Sequence, residues 1–196
     1  MKHSSLIDKY LLSSQLLTFD RKAQVLDLAC GEGRNGLHVL ENDINVVFAD
    51  INGESLKQVE QSVNRLQLNK QKLAQYWQVD FEQDHFDQVH FDQGNDKPLK
   101  AETFAAIMVF RYLHRPLMTQ IKAAIKPGGM IIYETFTEEQ AKLGRPKNPN
   151  FLLKPNELLE IFADWKILHS FEGKASSAQD SHTKQAIAQI VAIKPE

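Results

Sequence analysis

The stretch VLDLACGEGRNG, from Val25 to Gly36, sets a G-x-G-x-x-G spacing between an apolar strand pattern and a helical one. A tight glycine turn at that junction lets backbone approach a ligand closely, and it belongs to sheets built from strand–helix–strand units. The rest of the chain repeats the alternation. Strands are predicted over 24–29, 44–49, 73–79, 104–110 and 130–134, with helical patterns over 34–41, along Leu56, Val59, Val63 and Leu66, and along Leu117, Ile121 and Ile125. The last helix runs into Lys126-Pro127-Gly128-Gly129, a stop signal. FAAIMVF (104–110) is apolar on both faces, as a central parallel strand covered by helices must be.

Such alternation implies parallel strands joined by right-handed crossovers, with ligands beyond the carboxyl ends of the strands. WKILHSFEG (165–173) and AIAQIVAIK (186–194) read as strands without a helix between them, so they are predicted as an antiparallel pair at the sheet edge. The expected fold is therefore α/β: a Rossmann-like, doubly wound, mostly parallel seven-stranded sheet with an antiparallel C-terminal strand. No linker divides the chain, and one domain over 1–196 is expected. An N-terminal helix over 1–20 would put Leu6, Tyr10 and Leu17 on one side, and the Pro-, Asn- and Gly-rich stretch 142–155 reads as a loop placed to fold over the site as a lid.

The formal net charge of −2 gives no global reason to expect nucleic acid. No apolar run approaches the roughly 20 residues of a membrane span, and Asp8 and Lys9 interrupt the apolar core that a signal peptide needs. A single cysteine excludes an internal disulfide framework and fits a reducing cytoplasm. His85, Asp87, His90 and Asp92, in the polar near-repeat of 84–100, lack a recognisable zinc spacing, so no metal is expected. The oligomeric state is not legible.

The glycine loop also carries charge. A dinucleotide would bring a pyrophosphate beside Asp27 and Glu32, whose carboxylates would repel it. A ligand bearing an ammonium and a sulfonium would be attracted, and S-adenosylmethionine is such a ligand. Asp50, ending the second strand, is placed to accept hydrogen bonds from a ribose diol.

At this point the chain resembles the class I S-adenosylmethionine-dependent methyltransferases over nearly its whole length. VLDLACGEGRNG resembles their first motif, FADIN (48–52) the second, QVDFEQ (78–83) the third, and IKPGGMIIYETF (125–136) their turn and fifth strand. FRYLHRPL (110–117) and GRPKNPNFLLKPNELL (144–159) are similar to small bacterial enzymes grouped with the tellurite-resistance and thiopurine types. The resemblance implies a cofactor site of Asp27, Ala29, Cys30, Gly31, Gly33 and Asn35, with Asp50 and Ile51, Asp80 and Phe81, and Phe110. Asp80 would meet the adenine amino group and Phe81 would lie beside the ring. S-adenosylhomocysteine would be the product. Cys30 is read as a small packing residue, not a nucleophile.

The loop after the fourth strand offers Tyr112 and His114 to orient or deprotonate an acceptor, and Arg115 to bind an anionic one. Glu134 ends the fifth strand as a candidate proton acceptor or as an ion-pair partner of Arg145. Phe136 would form an apolar wall, and Arg145 would bind substrate from the lid. No N-P-P-Y or D-P-P-Y sequence follows the fourth strand, which disfavours methylation of bases or glutamine. The leading expectation is methyl transfer to a small molecule. A nicotinamide-dependent oxidoreductase and a non-catalytic S-adenosylmethionine-binding module remain alternatives.

Overall fold

A computed structural model describes residues 2–13, 23–83, 99–176 and 183–196. Seven strands form one sheet in the order β3-β2-β1-β4-β5-β7-β6. They are β1 (Gln24–Leu28), β2 (Asn45–Asp50), β3 (Ala74–Gln78), β4 (Phe104–Phe110), β5 (Ile125–Phe136), β6 (Lys166–Ser176) and β7 (Lys184–Ile193). The first five are parallel to one another, and β7 lies antiparallel between β5 and β6. This is the architecture the alternation predicts. The chain winds outward from β1 in one direction, returns to β4 and winds the other way, so the switch point lies between β1 and β4.

Helices cover both faces of the sheet. On one face α1 (Arg34–Glu41) and α2 (Gly53–Val63) press Val39, Leu40, Leu56 and Val59 onto Val46, Phe48, Ala106 and Met108. On the other, α4 (Met118–Ala124) and α5 (Glu157–Ile161) bring Ile121, Ala124 and Leu158 against Leu26, Ile107 and Tyr133. A four-residue helix, α3 (Leu68–Gln71), leads into β3. Every residue of β4 is buried, which is why its sequence shows no alternation. Asn52 caps α2, its Oδ1 accepting from the Glu54 and Ser55 amides.

Three boundaries differ from the periodic reading. Helix α4 ends at Ala124, short of Ile125, because Pro127 disfavours helical geometry at the residue before it. Residues 126–129 then make an irregularity in β5 between the Phe104–Ile125 and Ala106–Met130 pairs, with Gly128 at φ 71°. At the N-terminus the helical part centres on a π-type turn at Ile7–Leu12, which buries Leu6, Ile7 and Leu11 and leaves Tyr10 partly buried. Leu17 and the rest of that expected helix, like His85, Asp87, His90 and Asp92, lie outside the described residues. Asp8 clasps the N-terminal segment to α1, taking His3 Nε2 at 2.8 Å and His38 Nε2 at 2.7 Å while the two imidazoles stack. No described helix is long and apolar enough to cross a membrane.

Candidate active site

The carboxyl ends of β1, β2 and β4 converge at the switch point. After β1 the backbone turns through Ala29 (φ 53°) and Gly31 (φ 54°) before Gly33 opens α1 at φ 70°. A side chain on Gly33 would collide with Val59, whose Cγ2 would lie 2.7 Å away, so that glycine serves helix packing. At Gly31 nothing lies within 4 Å of where a side chain would begin. That open direction is where a ligand can touch backbone. Asp50 braces the turn: Oδ2 accepts the Gly31 amide at 2.7 Å and Oδ1 the Asn52 amide at 2.9 Å.

Asp27 behaves differently from its sequence reading. It is 3% exposed and lies beneath the loop, accepting the Gly36 amide at 2.8 Å. Burial raises its pKa to about 7, against the lowering effects of that hydrogen bond and of Arg34. Its carboxyl is therefore not the permanent surface anion on which the charge argument against pyrophosphate rested. The Cys30 thiol is likewise pushed far up by burial and by Asp27 and Asp50, consistent with packing and not nucleophilic chemistry. Asn35 is buried and its Oδ1 accepts the Ser4 amide. Ile51 is 60% exposed beside Asp50, whereas Phe81 is buried with its ring edge-on to Trp77. Asp80 Oδ1 accepts the Glu82 amide at 2.9 Å. Phe110 is buried with the residues that pack beneath α1.

The ends of β4 and β5 form a second centre. Arg111 follows β4 in a left-handed conformation, φ 61°, unusual outside glycine. Its Nη2 donates to Gln185 Oε1 at 2.8 Å and stands 3.1 Å from Glu134 Oε1, and its guanidinium lies over the Phe136 ring, 4.5 Å from the centroid. Glu134 is 7% exposed and also accepts from Gln189 Nε2 at 2.5 Å. Its partner is thus Arg111 and not the exposed Arg145. Burial lowers the Arg111 pKa, with Glu134 opposing and Arg34 assisting. Arg111 Nη1 and Arg34 Nη1 are buried and make no hydrogen bond among the described residues, whereas the Tyr112 hydroxyl has the Glu82 carboxylate as its hydrogen-bonding partner. The Tyr112 phenol is raised well above its ordinary range by burial first, then by the carboxylates of Glu82, Asp80 and Asp50. It is a hydrogen-bond donor at neutral pH.

The remaining expected substrate residues fall in different places. Arg115 Nε and Nη2 grip the Glu157 carboxylate at 2.6 and 2.8 Å, while Nη1 and Nη2 donate to the Asn150 and Leu152 carbonyls. All of these bonds hold the 149–153 segment to α5. His114 starts the turn Arg115–Leu117, its carbonyl accepting the Leu117 amide. The stretch 142–155 is fastened by buried Leu152 and Leu153 and by Gln140, which bridges the Arg145 carbonyl and the Ala186 amide. From it, Pro146 and Phe151 reach the far wall of a cavity of about 330 Å³ whose near wall includes Arg111, Tyr112 and Phe136. Glu82, Arg111, Pro146 and Phe151 were not singled out from sequence. Arg111 alone gave a signal, as the residue directly after a fully apolar central strand.

Residues 15–185 match the family model described as tellurite resistance protein TehB. No curated protein matches the sequence. Among solved structures, an S-adenosylmethionine-dependent methyltransferase from Methanosarcina mazei is similar with a TM-score of 0.67 and 15% identity, over 100% of this chain and 99% of that one. TehB from Haemophilus influenzae is similar with a TM-score of 0.61 and 20% identity, over 96% of this chain and 65% of that one. The glycopeptide N-methyltransferase MtfA, solved with S-adenosyl-L-methionine, follows with a TM-score of 0.58 and 13% identity, over 93% and 85% of the two chains. At these identities the likeness shows the fold, which is that of Rossmann-like methyltransferases.

Proposed function

The chain belongs to the TehB tellurite-resistance family, and on that premise we propose that it transfers a methyl group from S-adenosylmethionine to a small molecule by in-line displacement. One observation supports this most directly: the Gly31 turn stays open at the switch point while Asp50 and Asp80 each keep acceptor capacity beyond the backbone amides they already bind. In this reading Asp50 receives the ribose hydroxyls and Asp80 the adenine amino group. Exposed Ile51 offers apolar surface to the base, and Arg34 Nη1, buried without a hydrogen-bond partner among the described residues, suits the methionine carboxylate.

The bound cofactor supplies an activated methyl on a sulfonium: the acceptor's lone pair forms the new bond while the carbon–sulfur pair returns to sulfur. The protein's task is then to align two reactants and exclude water. Tyr112 donates a hydrogen bond to the acceptor, and Phe136 walls it. Glu134, held by Arg111 and Gln189, positions Arg111, and His114 takes the proton from an acceptor that carries one. Arg115 supports the wall through Glu157. Calorimetric titration with S-adenosylmethionine, S-adenosylhomocysteine and NAD in parallel tests the reading. Saturable binding of the first two without NAD is expected. Binding of NAD alone would replace methyl transfer with a redox reaction.

A further inference from the structure

The cavity beside Tyr112 is larger and more apolar than a bare oxyanion needs. It is lined by Tyr112, Phe136 and Phe151 with Leu113 and Pro146, and its polar groups include Arg111 and Glu82. At about 330 Å³ it falls within the range of small-molecule sites. A water's share of liquid volume is about 30 Å³, so a few-atom oxyanion would leave most of the space as water against aromatic carbon. The polar groups are also unlike one another. Arg111 has one guanidinium nitrogen held by Gln185 and Glu134 while Nη1 is buried with no hydrogen-bond partner among the described residues. Glu82 brings negative charge to the same cavity and is the hydrogen-bonding partner of the buried Tyr112 hydroxyl.

Resting on the methyl-transfer reading, we propose that the acceptor is an aromatic anion, its ring held among Phe136, Phe151 and Tyr112 and its acidic group on Arg111. A flat ring fills aromatic walls in a way that a compact oxyanion cannot. A single acidic group would satisfy Nη1 and complete the guanidinium already stacked on Phe136. The Glu82 carboxylate disfavours a second anionic group and directs the acid toward Arg111. A hydroxyl, thiol or amine elsewhere on the ring meets the hydrogen-bonded pair of Tyr112 and Glu82, and the neighbouring sulfonium attracts an anion more than a neutral molecule.

The test is calorimetric titration of the protein saturated with S-adenosylhomocysteine, using 4-hydroxybenzoate, 4-hydroxybenzamide and tellurite as probes. Failure of S-adenosylhomocysteine itself to bind would sink the methyltransferase reading and leave the class of acid undecided by that result alone, so the probes are also titrated without it. The benzoate should bind at least roughly tenfold tighter than the amide and the oxyanion. Arg111→Gln should remove that preference. Phe151→Ala, at a site 46% exposed and safe for folding, should weaken the benzoate roughly fivefold with S-adenosylhomocysteine affinity unchanged. Equal binding of acid and amide, tighter binding of tellurite, no benzoate binding at about 1 mM in either titration, or an unaffected Phe151→Ala variant would overturn the proposal.

Discussion

The ends of β1 and β4 are neighbours in the sheet, yet the two halves of the site that grow from them are built differently. From β1 to β2 the chain offers mostly backbone, shaped by glycines and braced by Asp50, within a span from Ala29 to Asn52. From β4 to β5 it offers side chains. Arg111, Glu134, Gln185 and Gln189 come from three strands or their ends, and Pro146 and Phe151 from a loop that Arg115 ties to α5. In the methyl-transfer reading, the donor needs only a turn that leaves backbone open. An acceptor peculiar to one enzyme needs a pocket whose walls can change independently of that turn. Both halves hold a non-glycine residue in the left-handed region at the strand end, Ala29 and Arg111, where backbone strain commonly marks a functional position.

The contrast breaks most visibly at Glu134. Glu134→Ala leaves Arg111 without its buried counter-ion, and a loss of about 3–5 kcal/mol in unfolding free energy is expected by urea denaturation. S-adenosylhomocysteine affinity should survive below the transition, while Glu134→Gln, which keeps a hydrogen-bonding group, should lose much less. If Glu134→Ala weakens the cofactor as much as the acceptor probe, the two halves are not separable. The converse substitution is Asp50→Ala, expected to weaken S-adenosylmethionine by about 1.5–3 kcal/mol while sparing the acceptor cavity. Unchanged affinity in calorimetry would place the ribose elsewhere.

Asp27 sharpens the same comparison through pH. Its folded pKa of about 7 stands above the ordinary 3.8, so between those values the folded state holds a proton that the unfolded chain has released. Its contribution is full below the lower value and declines as pH rises through the window, by at most about 1.4 kcal/mol per unit. The stability difference between wild type and Asp27→Asn should follow that decline across pH 4 to 7. A flat difference would mean that Asp27 is charged throughout. The smallest effect belongs to the N-terminal clasp: Asp8 is half exposed, so Asp8→Asn should cost less than about 1 kcal/mol in thermal unfolding. Its pKa is lowered by the hydrogen bonds from His38 and His3, so that small contribution is present above the carboxylate's ordinary value and is lost as pH falls below it through the lowered folded value.

Much of the fold was legible because its signals are periodic and local. Apolar runs, glycine turns and the stop at Lys126-Pro127-Gly128-Gly129 announce themselves within a few residues. The reversed pair at the end was legible as well, since no helical pattern separates β6 from β7. Burial was less so: Asp27 reads as a surface anion until Gly36 is seen covering it. Arg115 reads as a free cation until Glu157, far along the chain, is seen to hold it.

The amino-acid sequence by itself determined a doubly wound sheet, a glycine turn at its switch point and an acid, Asp50, at the end of the second strand, because hydrophobic period and backbone freedom are properties of short segments. Tertiary structure alone decided which arginine meets Glu134, that Phe151 and Pro146 close a cavity over Arg111, and that Nη1 of Arg34 and of Arg111 are buried without hydrogen-bond partners among the described residues. Those outcomes depend on which side chains the packed sheet brings together from distant segments, and desolvation, the force that gives them meaning, exists only once the chain has folded.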